Sequence, residues 1–283
     1  MEKQKAALIE RRRFTPSSND MNSIDKIFEL CRHNADMTFD KSWSQGRTVF
    51  GGVSAAAILR AMDFELESPR PLRVLHVNFI APLKIEKPCR ITIEHLRDGQ
   101  NVTQLQGRLT QDNQTCVQVQ ACYGKSRDSK INRLSDQQCS LKSASKGNFL
   151  PIIPGVTPKF LKHITLDFQS GKLPFTGSKH SHIDGWMKFK EVPTNISLAH
   201  IVALADAWPP TVLQMLKWPK PASTLSWQVD VLQPEIKLPP SQWIGYQAKT
   251  LQATDGYSHT QANIWSESGE LILLSRQTDV IFG

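Results

Sequence analysis

A chain of 283 residues with 40% hydrophobic and 21% charged residues can bury one large core or two of ordinary size, as soluble globular proteins do. No apolar run reaches the length of a membrane span, and the opening "MEKQKAALIERRRF" lacks the apolar core of a signal peptide, so a cytoplasmic enzyme or binding protein is expected. The net charge of +8 suits nucleic acid, an anionic membrane or a polyanionic small ligand, but beyond "ERRR" at 10–13 the Lys and Arg are scattered, which argues against nucleic acid.

In chain order, residues 1–30 read as an N-terminal extension and residues 31–124 as a first folded unit. That unit opens with an extended segment near "MTFDKSW", followed by a small-residue apolar helix in "FGGVSAAAILRAM" and four partly alternating extended segments. Residues 125–158 are polar, rich in Ser and Lys, and read as a linker. Residues 159–283 repeat the grammar: extended segments at "HITLDFQ" and "GWMKFKE", an apolar helix in "SLAHIVALADAWPP", and four more extended segments. Both halves place a Pro after the strand that follows the helix (Pro82, Pro234) and Asp-Gly at the next turn (Asp98-Gly99, Asp255-Gly256). A polar turn follows in each, at Asp112-Asn113 and Ser268-Gly269. Antiparallel sheets curling around buried helices, paired edge to edge, satisfy this pattern. Five cysteines without CxxC spacing signal neither a disulfide frame nor a zinc site, and His180 and His182 lack clustered partners, so no metal is expected.

Asp206 breaks the pattern of its helix. Thr194 or Asn195 can cap a helix running from about Ile196 to Ala207, with Pro209 ending it, and Ile201 to Ala205 are apolar all round. Asp206 is therefore drawn inward at the negative end of the helix, where burial and dipole both disfavour its charge. Such a carboxylate is either satisfied structurally or used. On "ELILLSRQTDV", Gln277 shares the phase of Leu271, Leu273 and Ser275 and faces inward. On "STLSWQVDV", Thr224, Ser226, Gln228 and Asp230 share one face, which either lines a cleft or meets solvent. Aligning the halves on Pro82 and Pro234 sets His76 opposite Gln228, and aligning the later turns sets Ala121 opposite Gln277.

Seven stretches in order, "VFGG", "HVNFIAP", "LRDG", "ADAWPP", "STLSWQVDVLQP", "DGY" and "SRQTDV", resemble the acyl-CoA thioesterase II family. The resemblance implies an α+β tandem (double) hotdog: two antiparallel sheets, each wrapped around a long buried helix. It also implies hydrolysis of acyl-CoA, no cofactor beyond the thioester substrate, no membrane partner and a homo-oligomer. The family's catalytic Asp, Gln and hydroxyl carry over to Asp206, Gln277 and the position of Gln228, which has no hydroxyl; Thr224 is a stand-in on the same face. Gly51, Gly52 and Val53, where the first helix starts, are candidates for an oxyanion or substrate site, since a helix start offers free N–H groups. A non-catalytic acyl-CoA or acyl-carrier binding protein of the same fold is the alternative, whereas a hydratase lacks the His it needs after Asp206.

Overall fold

The computed structural model describes residues 23–31, 36–145 and 157–282. Helix α1 (Ile24–Cys31), which crosses the boundary at residue 30 between the expected extension and first unit, buries Ile24, Ile27, Phe28 and Cys31 in the common core. The segment "MTFDKSW" forms no regular strand. Met37 makes a single bridge to Cys89, and the Asp40 carboxylate then accepts from the Ser42 N–H at 2.8 Å and turns the chain into a 3₁₀ helix at Lys41–Trp43. A tiny hairpin, β1 (Ser44–Gln45) with β2 (Thr48–Val49), leads into α2 (Gly51–Glu65).

Strands β3 (Leu72–Phe79), β4 (Arg90–Asp98), β5 (Val102–Gln111) and β6 (Gln114–Gly124) follow. The second half contributes β7 (Ile164–Gly171), β8 (His182–Phe189), α3 (Leu198–Ala205), β9 (Ala222–Val231), β10 (Ile244–Thr254), β11 (Tyr257–Trp265) and β12 (Leu271–Ile281). The expected turns fall between these strands. Asp112, Asn113, Asp255 and Gly256 all take positive φ, the backbone that tight hairpin turns require.

The sheets of the two halves pair edge to edge, as expected, and make one continuous antiparallel sheet in the order β4-β5-β6-β3-β9-β12-β11-β10-β8-β7. The halves meet at β3 and β9, where each would otherwise present an open edge, and His76 pairs there with Gln228. A row of inward side chains runs through Val119, Val77, Trp227, Gln277 and Thr260. The same row includes Gly107, where a Cβ would meet Ile58 of α2 at 2.4 Å, so this is the face that the helices cover.

Helix α3 is shorter than expected, and its cap differs. Ser197, not Thr194 or Asn195, is the N-cap, and it exchanges hydrogen bonds with His200 in a capping box. The His200 ring lies 3.3 Å from an Asp25 oxygen, which ties α1 to this helix start. Asp206 is the C-cap residue. The linker as far as residue 145 has no helix or strand and straps the second half of the sheet. Ser140 accepts from Gln247, Ser145 donates through its N–H to the buried Asp167 at 2.7 Å, and the Lys142 carbonyl accepts from Trp186 at 2.7 Å. Its polar composition follows from this work, since hydrogen bonds to the sheet replace an apolar face of its own. Residues 146–156 lie outside the described residues.

Candidate active site

Helix α3 ends where α2 begins, and the glycines of "VFGG" permit the contact. A Cβ on Gly52 would sit 2.6 Å from the Ala203 carbonyl oxygen, and one on Gly51 would sit 2.8 Å from Asp206 Oδ2. The carboxylate of Asp206 thus lies against the start of α2, and the Gly52 N–H donates to it. Phe50, the N-cap of α2, supplies no side-chain cap, so a residue from the other half of the chain caps this helix. The sequence exposes only the unfavourable negative end of α3; the positive end of α2 offsets it.

From the sheet, Gln277 Nε2 donates to Asp206 Oδ1 at 2.6 Å. Burial pushes the Asp206 carboxyl up to about 7 against the Gln277 and Gly52 hydrogen bonds, which favour the ionised form, and the charge of Asp279 pushes it further. Asp206 and Gln277 nevertheless keep some accessible surface, so the pair is not sealed in the core. The structure therefore brings together Asp206, Gln277 and the Gly51–Val53 helix start.

Gln228 does not join them. Trp227 is the residue across from Gln277, so the adjacent Gln228 projects from the opposite side of the sheet. There it bonds Asp230 at 3.0 Å and lines a concavity of about 520 Å³ with His76, Asn78, Ser226, Arg276 and Thr278. Thr224 does not share that face either. The ladder shifts register between Thr278 and Asp279, so that Ser226 faces Thr278 while Thr224 faces Asp279. The bulge carries one extra residue, Leu225, and returns Thr224 to the inner side. Thr224 Oγ1 donates to Asp279 Oδ1 at 2.9 Å.

Asp279 went unnoticed in the sequence, although it has the inward phase of Gln277 two residues earlier. It is fully buried, and Ser258 Oγ donates to its second oxygen at 3.3 Å. Burial raises its pKa against the Thr224 and Ser258 bonds. Thr211, Thr250 and Thr260 extend the polar thread, with Thr211 and Thr250 hydroxyls 2.7 Å apart. The buried Tyr246 feels both carboxylates, and its pKa lies above the ordinary value for burial first and those charges second. His182 bonds Ser170 at 3.0 Å, and among the described residues no three His, Cys, Asp or Glu side chains gather as a metal site. No helix of the described residues is long and apolar enough to cross a membrane.

This architecture is that of hotdog-fold proteins. A hotdog-fold protein of unknown function from Alicyclobacillus acidocaldarius superposes with a TM-score of 0.74 at 20% identity, covering 88% of this chain and 92% of that one. A putative thioesterase II from Thermobifida fusca gives a TM-score of 0.71 at 18% identity over 88% and 92% of the two chains. The acyl-CoA thioesterase II TesB2 from Mycobacterium marinum gives 0.63 at 15% over 90% and 96%. No curated protein matches the sequence. Residues 39–124 match the acyl-CoA thioesterase N-terminal domain and residues 137–281 the acyl-CoA thioesterase C-terminal domain. The chain belongs to the acyl-CoA thioesterase family and is a thioester hydrolase.

Proposed function

We propose that the protein hydrolyses an acyl-CoA to the free acid and CoA through a water activated by Asp206 and held by Gln277 and Thr224. The 2.6 Å bond from Gln277 to a desolvated Asp206, facing the start of α2, carries this reading. Thr224 takes the hydroxyl role in place of Gln228, because it lies on the inner face about 7 Å along the sheet from Gln277.

Ionised Asp206 accepts a proton from the water as the water oxygen bonds to the thioester carbonyl carbon, and the carbonyl electron pair moves to oxygen. The N–H groups of Gly51, Gly52 and Val53 meet that oxyanion at the positive end of α2. Protonation of Asp206 weakens its hold on the Gly52 N–H at the moment when the oxyanion needs it. Collapse restores the carbonyl and breaks the C–S bond, and Asp206 returns its proton to the CoA sulfur. A thiol leaves with a pKa of about 8.5, so little acid assistance is required.

Residues 31–124 and 159–283 form two hotdog units, each curled on its own helix and joined by the segment 125–158, with all the reacting side chains on the second. The chain works as a cytoplasmic homo-oligomer with neither metal nor cofactor. Thiol release from acyl-CoAs of graded chain length, with wild type and Asp206→Asn side by side, tests the reading. The expected loss is about a hundredfold or more with folding intact. Equal turnover by the two proteins would overturn it.

A further inference from the structure

Asp279 is a buried carboxylate that the mechanism above does not use. It is completely shielded from solvent, and the two donors that reach it are hydroxyls, Thr224 at 2.9 Å and Ser258 at 3.3 Å. The first half of the chain shows what the fold itself requires at this point. There the same bulge occurs, between Leu72 and Val74, and the pair that occupies the place of Thr224 and Asp279 is Leu72 with Tyr123. The bulge and the strand pairing therefore need no carboxylate on the strand itself; the Tyr123 hydroxyl instead donates to Asp63 of α2 at 3.0 Å.

Water attacks a carbonyl with a lone pair, and acceptors for both of its hydrogens aim that lone pair at the carbon and enrich it. Asp206 takes one. A threonine hydroxyl that donated to the water would draw on one of its two lone pairs and make it a weaker nucleophile. An ionised carboxylate can only accept, so a Thr224 hydroxyl bonded to Asp279 has its hydrogen committed and presents oxygen to the water. We propose that Asp279 is a positioning residue that holds the Thr224 hydroxyl as an acceptor for the attacking water. This rests on the reading of Asp206, Gln277 and Thr224 as the water site.

Charge supports the same arrangement. Asp206 from the end of α3, Tyr246 from β10 and His259 from β11 are the titratable groups that interact with Asp279 or are perturbed by it. The Asp279 charge raises the Asp206 pKa, which makes a stronger base of the ionised group.

The test is a cycle of Thr224→Val, Asp279→Ala and the double variant, with Asp279→Asn and Asp206→Asn alongside, reading kcat, KM, the pH profile and thermal midpoints. Each single change is expected to lower kcat about tenfold with KM held within about twofold, and the double variant should fall no further than either single one. Asp279→Asn is expected to move the acid limb of the profile to lower pH. Losses that multiply in the double variant, or an acid limb that stays in place in a folded Asp279→Asn, would overturn the proposal. If Asp279→Ala fails to fold, the cycle runs with Asp279→Asn, which keeps the side-chain shape. Full activity in Asp206→Asn sinks the base assignment instead, and the Thr224–Asp279 coupling is still read from the cycle.

Discussion

The two halves of the sheet share the order of four strands, their turns and even a bulge, yet differ in what they turn inward. Position by position, Ala121, Leu105, Leu72 and Tyr123 of the first half stand where the second has Gln277, Thr260, Thr224 and Asp279. The repeat offset that aligns Pro82 with Pro234 also makes Leu75 equivalent to Trp227, and the ladders agree: Ala121 pairs with Leu75 and Gln277 with Trp227. An apolar lining suffices to stabilise this architecture. The polar lining of the second half costs burial of two carboxylates, Asp206 and Asp279, whereas the first half desolvates Asp63 of α2, which accepts from the Tyr123 hydroxyl at 3.0 Å.

Changes that erase the asymmetry are the sharpest probes of it. Gly51→Ala places a methyl group 2.8 Å from Asp206 Oδ2 and pushes the carboxylate from its seat; kcat/KM for acyl-CoA hydrolysis is expected to fall about a hundredfold while circular dichroism stays native. Gln277→Ala gives the second half the residue of the first. It should reduce kcat about tenfold and, because the lost hydrogen bond favoured ionised Asp206, carry the acid limb of the pH profile above its wild-type place near 7.

Stability responds to pH with the opposite sign to activity. Asp206 binds its proton more tightly folded than unfolded, so its contribution is present at acid pH and lost as pH climbs from about 4 to about 7. Asp206→Asn should therefore melt above the wild type at pH 8 and close to it at pH 4, as calorimetry can read, while hydrolysis by the wild type rises over the same interval. The smallest effect is expected at Gln228. Its side chain lies on the far face of the sheet, so Gln228→Ala should stay within about twofold of wild type in kcat/KM. A loss comparable to that of Gln277→Ala would break the assignment of inner and outer faces.

Much of this contrast is legible in the sequence. Asp206 betrays itself as a charge in an apolar helix, Gln277 by its phase with Leu271 and Leu273, and the repeat by its Pro and Asp-Gly punctuation. What escapes is what counting cannot register. Simple alternation puts Thr224 with Gln228, and one unpaired residue at Leu225 reverses that, because a bulge exchanges the two faces for everything beyond it. The contact between Asp206 and the start of α2 joins positions more than 150 residues apart, so neither helix predicts it alone. Asp279 had the right phase, but an acidic residue near a chain end reads as ordinary surface until the β11–β12 pairing encloses it.

The seam between β3 and β9 also governs the order in which the molecule can become active. Val77 and Trp227 meet across it from distant parts of the chain, so closing the seam costs far more chain entropy than closing any hairpin. Each half can build its hairpins from neighbours in sequence, but the acid from one and the helix start from the other are brought together only when the seam closes. During refolding, sheet content should therefore recover ahead of catalysis, and the interval between them is the time the two halves take to find each other.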